Sequence, residues 1–219
     1  VTIKPTGSLT LSGNFINSGT LIVKSNSSGD IGSFIDNGTI TGTMKLERYI
    51  SENKWHYLSI PITSASSGLF RGAALYSYDE PTAIWTPIIG GQTLTRMTGY
   101  DVYFPNTGDK NITFDGTFST GSVSLGLTYN SLGGQGFNLV GNPYPSAIDW
   151  DAPSGWSRTN INSAIYLWNH STLKVEIYVQ GGGTGTDGGS RYIPPTQGFY
   201  VICTAATTLG MTNSVRATT

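Results

Sequence analysis

The sequence predicts an all-β protein, a β-sandwich or flattened barrel built from two related β-units with a short β-solenoid-like cap at its N-terminal end. Three observations predict it: a composition rich in turn and strand formers, apolar residues that alternate along short runs, and two levels of internal repetition. Of 219 residues, 29 are Gly and only 11% are charged. Thr, Ser and Asn crowd the remainder, a mix that disfavours helix and suits strands joined by tight turns. Ile, Leu, Val, Phe, Tyr and Trp recur throughout, so low charge here does not signal disorder.

The shorter repeat lies at the start. Gly13-Asn14-Phe15-Ile16-Asn17-Ser18-Gly19-Thr20-Leu21 matches Gly32-Ser33-Phe34-Ile35-Asp36-Asn37-Gly38-Thr39-Ile40 at an offset of 19 residues. A short period with S-G and N-G turns is what a β-solenoid rung needs, and each rung leaves an apolar edge for the next to cover. Residues 1–45 are therefore expected to form rungs against the rest, and residues 46–219 a duplicated β-sandwich. In that second part, Trp55-His56-Tyr57-Leu58-Ser59-Ile60-Pro61 is echoed by Phe137-Asn138-Leu139-Val140-Gly141-Asn142-Pro143. Leu75-Tyr76-Ser77-Tyr78 is echoed by Ile165-Tyr166-Leu167-Trp168, and Gly99-Tyr100-Asp101-Val102 by Gly198-Phe199-Tyr200-Val201. The order is the same and the loops of the second copy are longer.

The individual runs alternate as strands with one buried face do. Val123, Leu125 and Leu127 share one face, as do Val175, Ile177 and Val179. Residues 63–72, 149–162 and the glycine-rich 181–189 read as loops, with one turn of helix at most, near 65–71.

Composition also restricts chemistry. The formal net charge is −1 and no cluster of Lys and Arg is present, so nothing attracts a phosphate backbone and no nucleic-acid partner is expected. No apolar run is long enough for a membrane-spanning helix. The single cysteine, Cys203, excludes an internal disulfide and reads as a small buried hydrophobe beside Phe199 and Val201. Only two histidines exist, His56 and His170, and neither has a nucleophile or ligand set in its neighbourhood of sequence. The run 181–189 lacks the Lys-Ser/Thr ending and following helix of a phosphate loop. Acidic pairs such as Asp79-Glu80 or Asp149/Asp151 lack any signature of a glycosidase dyad. The expectation is a non-enzyme with no catalytic residues, no metal ligands and no cofactor. The one exception entertained is a structural calcium held by Asp101 or Asp109 with Asp115.

Aromatic residues are the richest signal, with five Trp and 12 Tyr. Sugar rings stack their C–H faces on such side chains while polar neighbours bind the hydroxyls. Trp85, Trp150 and Trp156 fall near expected turns, and Tyr144 sits in Asn142-Pro143-Tyr144-Pro145. These four are the candidate carbohydrate-binding residues, although packing in the core is the ordinary fate of such rings.

The segment Gly136-Phe137-Asn138-Leu139-Val140-Gly141-Asn142-Pro143-Tyr144-Pro145-Ser146-Ala147-Ile148-Asp149-Trp150 resembles one found in large secreted proteins of Bacteroidota. So do Tyr192-Ile193-Pro194-Pro195-Thr196-Gln197-Gly198-Phe199-Tyr200-Val201 and Glu47-Arg48-Tyr49-Ile50 followed by Trp55-His56-Tyr57-Leu58. In that family the β-rich module precedes a type IX secretion sorting domain. The resemblance implies export and an extracellular or cell-surface location, with flanking domains of one parent chain beside it; both ends here read as cut from something longer, and no sorting domain follows. It implies no activity and no catalytic residues. Two functions are expected from these readings. One is a structural or adhesion module meeting glycans or other surface components; the other is a carbohydrate-binding module attached to a secreted polysaccharide-degrading enzyme.

Overall fold

The computed structural model describes residues 1–218. Its regular secondary structure is nearly all strand, and the only helical pieces among the described residues are two single 3₁₀ turns, Ser67–Phe70 and Asn213–Val215. The first falls inside the stretch expected to carry a turn of helix. Seven sheets form, each with free edge strands, so the sandwich alternative holds and no sheet closes into a barrel.

The N-terminal chain winds as a coil of parallel strands. Thr2–Ile3 pairs with the end of Phe15–Val23, which pairs with Ile40–Ile50; on the other wall Ser8–Leu11 pairs with Ser33–Asp36, all parallel. The expected 19-residue period is not the period of the coil. Leu9 lies beside Phe34 and Val23 beside Leu46, offsets of 25 and 23 residues. A bulge lowers the offset from 25 to 23: between Ile16 and Thr20 one strand advances four residues while its partner advances two, from Thr41 to Thr43. Gly42 sits at this bulge with φ +109°, where a Cβ would lie 2.1 Å from the Asn17 carbonyl oxygen. Nor does a boundary fall at residue 45. The strand Ile40–Ile50 runs through it and pairs antiparallel with Lys110–Asp115. One apolar core joins Leu21, Val23 and Phe34 of the coil to Leu58, Val102 and Phe114.

Two four-stranded antiparallel sheets dominate the rest. The first contains β1 (Trp55–Leu58), β2 (Ala74–Asp79), β3 (Ile84–Pro87) and β4 (Tyr100–Tyr103), in the order β1-β4-β2-β3. The second contains β5 (Phe137–Gly141), β6 (Ile161–Asn169), β7 (Lys174–Val179) and β8 (Gly198–Cys203), in the order β5-β8-β6-β7. The two orders are the same. The hairpins match as well: β2–β3 turns through Glu80 to Ala83 and β6–β7 through His170 to Leu173, and the last residue of each turn is left-handed, at φ 55° and 56°. Ahead of β4 and β8, Met97 and Thr196 take φ 62° and 61°. A non-glycine residue at such an angle is uncommon, so matched pairs of them mark equivalent backbone.

The sheets join through reciprocal contacts. The Ser59 N–H donates to the Thr196 carbonyl at 2.8 Å, and the Gly141 N–H donates to the Met97 carbonyl at 2.7 Å. Leu58 bridges to Gln197 as Thr98 bridges to Val140. The chains approach so closely here that a Cβ on Gly141 would lie 2.2 Å from that of Ser59. The inward faces pack two cores, the first shared with the coil and the second centred on Val140, Trp150, Ile165, Phe199 and Val201. Each large side chain so buried contributes about 1.5–3 kcal/mol.

The G-N-P-Y-P segment is a structural knot. Asn142 is fully buried, its amide donates to the carbonyls of Ser146, Ile193 and Pro194 at 2.8, 3.0 and 2.9 Å, and its oxygen accepts from the Tyr144 N–H. Close by, Arg216 forms a buried ion pair with Asp36 at 2.7 Å and donates to the Phe34 carbonyl, clamping the coil to the second unit.

Candidate functional site

Alternation along the strands sends one set of side chains into the cores and the other onto the open faces of the two sheets. On the first sheet the open set is Trp55 and Tyr57 on β1, Asp101 and Tyr103 on β4, Tyr76 and Tyr78 on β2, and Trp85 on β3; the registers Asp101–Tyr57, Tyr103–Trp55 and Tyr78–Trp85 place them side by side. On the second sheet it includes Phe137, Tyr166, Trp168 and Tyr200. These rings touch across the junction. Tyr57 stacks with Trp85 at 6.1 Å and meets Tyr200 edge-on at 5.7 Å; Tyr200 also meets Tyr78 and Phe137. Trp55 contacts Tyr76 and Tyr103. Most are half-buried, and Trp55 and Phe137 remain 39% and 37% exposed.

Asp101 lies within this aromatic face. Tyr57 and Trp85 stack over the two strands between them, and one carboxyl oxygen of Asp101 is buried without a hydrogen-bond partner. Burial pushes its carboxyl up to about 7, against a weaker downward pull from the Val102 amide. Burial, and then the Asp101 charge, holds the Tyr57 phenol up at about 12; the Tyr200 phenol is raised for the same first reason. The arrangement offers flat apolar rings, phenol donors and one carboxyl able to accept or donate near neutral pH.

The four sequence candidates fare differently. Trp85 belongs to this face, half-buried on β3. Trp150 is fully buried, packed against Trp156 and Phe199 with its indole N–H on the Ser163 carbonyl at 2.7 Å. Tyr144 is also fully buried, its hydroxyl donating to the Gly121 carbonyl at 2.6 Å. Neither can offer a ring face to a ligand, and both are corrected to core residues. Trp156 is half-buried, with the Arg158 guanidinium 5.2 Å from its ring, well apart from Trp85 in the fold. The signal that could have found Asp101 is an acid in the middle of an apolar strand, between Tyr100 and Val102.

The carboxylates considered for calcium do not converge. Asp101 is in the aromatic face, Asp109 accepts from the Tyr49 hydroxyl and the Glu52 N–H, and Asp115 pairs with Lys45 at 2.9 Å. No group of three His, Cys, Asp or Glu side chains converges among the described residues. Asp149 takes a two-pronged bond from Arg191 at 2.7 and 2.6 Å, and Asp151 accepts from the Tyr178 hydroxyl. Glu80 is buried in its turn and accepts the N–H groups of Asn130 and Gly136, each at 2.8 Å. Cys203 is buried, its thiol raised by burial. His56 and His170, far apart in sequence, meet with ring centroids 4.1 Å apart and their planes tilted by 37°. Burial lowers both, to about 3 and about 4, with the Arg48 charge contributing.

A family model described as a domain of unknown function, DUF8693, matches residues 1–219. The chain belongs to that family. No curated protein and no solved structure matches it. For DUF8693 the description thus supplies no chemistry, and any reading must come from the faces and cavities above. No helix of the described residues is long and apolar enough to cross a membrane.

Proposed function

We propose that this chain is a non-catalytic extracellular module of a larger exported protein, and that it adheres to glycans through the aromatic face around Trp85, Tyr57, Asp101 and Tyr200. The observation that carries the reading is the contiguous array of half-buried rings on the two sheets, with an unpartnered carboxyl oxygen among them. Rings that already contact one another are pre-organised, so stacking a sugar on them costs little ordering entropy. Asp101 supplies the hydrogen bond that orients a hydroxyl. The same carboxyl could serve as a general acid, but hydrolysis of a glycoside also asks for a second carboxylate at a defined distance. In the hairpin, Glu80 holds two backbone amides with one oxygen and Asp79 accepts from the Thr82 hydroxyl. The resemblance of the G-N-P-Y-P region to secreted Bacteroidota modules supports export.

The test is affinity electrophoresis and calorimetry on a panel of neutral plant, algal and host glycans. Binding is expected for at least one, weakened about tenfold or more by Trp85→Ala, with Trp156→Ala unchanged. Binding indifferent to Trp85→Ala and Tyr57→Ala would place the site elsewhere. Turnover of any glycan, abolished by Asp101→Asn, would overturn the non-catalytic reading.

A further inference from the structure

A second site adjoins the aromatic face at Trp168, away from Trp85 and Asp101. A cavity of about 340 Å³ opens between the N-terminal coil and the β6–β7 hairpin, and its walls include Arg48, Gln197, Trp168, His170, Asp30 and Glu176. We propose that this cavity binds the carboxylate of an acidic sugar, a uronic acid, with Arg48 as the partner of the anion.

Arg48 is the reason. It is 6% exposed, and among the described residues no carboxylate lies within ion-pairing distance of it. Its Nε has no partner, and its one side-chain bond runs from Nη2 to the Gln197 oxygen at a long 3.4 Å. A buried guanidinium without a counter-charge is costly, whereas a two-pronged carboxylate restores both charge and hydrogen bonds. Arg216 shows the contrast within the same molecule, since it is equally buried and fully matched by Asp36. The paired imidazoles of His56 and His170 are beside Arg48 and uncharged at neutral pH, so they leave its charge unanswered.

The rim fits the remainder of a sugar. Asp30 and Glu176, each already accepting from a neighbouring Asn amide at 2.9 and 2.6 Å, present further lone pairs to hydroxyl donors. Trp168 adds a ring face, and the volume is within the range of small-ligand pockets. Two carboxylates on the rim disfavour a multiply charged anion and are suited to a ligand with one carboxylate and several hydroxyls.

The inference rests on the glycan reading for the ligand's ring, but on different residues, so the two fail separately. The experiment is calorimetry on the whole chain with sodium glucuronate, glucose and sodium acetate, alongside histidine ring signals by NMR. Glucuronate is expected to bind at least about tenfold more tightly than either control, to shift the His170 signals, and to lose about tenfold or more in Arg48→Gln. Trp85→Ala should leave it unchanged. Trp168→Ala, on the half-buried hairpin, should also weaken it and serves if Arg48→Gln does not fold. No glucuronate binding, equal binding of glucose or acetate, or full affinity in both variants would overturn the proposal.

Discussion

The two four-stranded sheets share strand order, hairpin geometry and junction contacts, yet they carry different chemistry at matched positions. Asp101 on β4 stands where β8 has Tyr200, each four residues after the left-handed Met97 or Thr196. Trp85 stands where β7 has Val175, since these are the residues paired with Tyr78 and Trp168. In the hairpin turns, Glu80 corresponds to His170. Glu80 reaches the start of β5, where one of its oxygens accepts two backbone amides and the other is left without a partner, while His170 reaches the equivalent place at β1, beside His56 and Arg48. Backbone geometry tolerates such divergence because the fold depends on the inward faces and the junction; the open faces and turns are free to take up binding.

The comparison can be broken first at the turns. Glu80→Ala should cost about 2–4 kcal/mol in urea unfolding, because two buried N–H groups lose a charged acceptor. The matched His170→Ala should cost less than about 1 kcal/mol; equal costs would mean that the two turns bear the same load. At the junction, Gly141→Ala should cost about 1–3 kcal/mol from overpacking against Ser59. Gly198→Ala should cost less, its nearest contacts being 3.0 Å away. The reverse ranking would show that the junction relaxes around β5 rather than β8.

Asp101 sharpens the comparison through pH. Its folded value near 7 lies above the ordinary carboxylate value of about 4, so the folded state holds a proton that the unfolded state releases. Its contribution to stability is fully present below about pH 4 and is lost as pH rises through 7. Asp101→Asn should therefore stabilise by about 1–2 kcal/mol at pH 8, after discounting for solvent screening, and by almost nothing at pH 4. The histidines run the opposite way. With folded values near 3 and 4 against about 6.5 unfolded, their contribution is complete above 6.5 and falls as pH drops toward 4. His170→Phe should flatten part of that acid limb, measured as the unfolding midpoint against pH.

Much of this architecture was legible from the chain. Alternating strands and the recurrence of Gly-aromatic and Pro-ended segments gave the all-β class and the matched segments, because both depend on local turn chemistry and a period of two. The coil period was not: Phe15 and Phe34, alike in sequence, lie on different walls, Phe15 beside Ile40 and Phe34 beside Leu9. Trp85 was singled out with Trp150 and Tyr144, which were not separable from it by sequence: Trp150 and Tyr144 are buried, and the turn at Tyr144 is held by Asn142, two of whose carbonyl partners lie more than fifty residues away. Arg48 was invisible for a related reason. Whether an arginine meets a carboxylate depends on what lies across the cavity, and here that is Gln197, on a distant loop.

The clamp between Arg216 and the coil has a mechanical meaning. Tension applied at the C-terminal side meets the pairing of Ala217 with Ala147 and then Arg216, whose side chain is tied at once to Asp36, Phe34 and Ser146. Tension at the N-terminal side meets the short ladder of Thr2–Ile3 on Ile22–Val23, extended by the bonds of Val1 to Thr20 and Ile22. Under load from both directions the first strand peels away while the pulling force on the other side is shared between the coil and the second unit. The molecule thus has a yielding end and a holding end, and the holding end is the one tied directly to both halves.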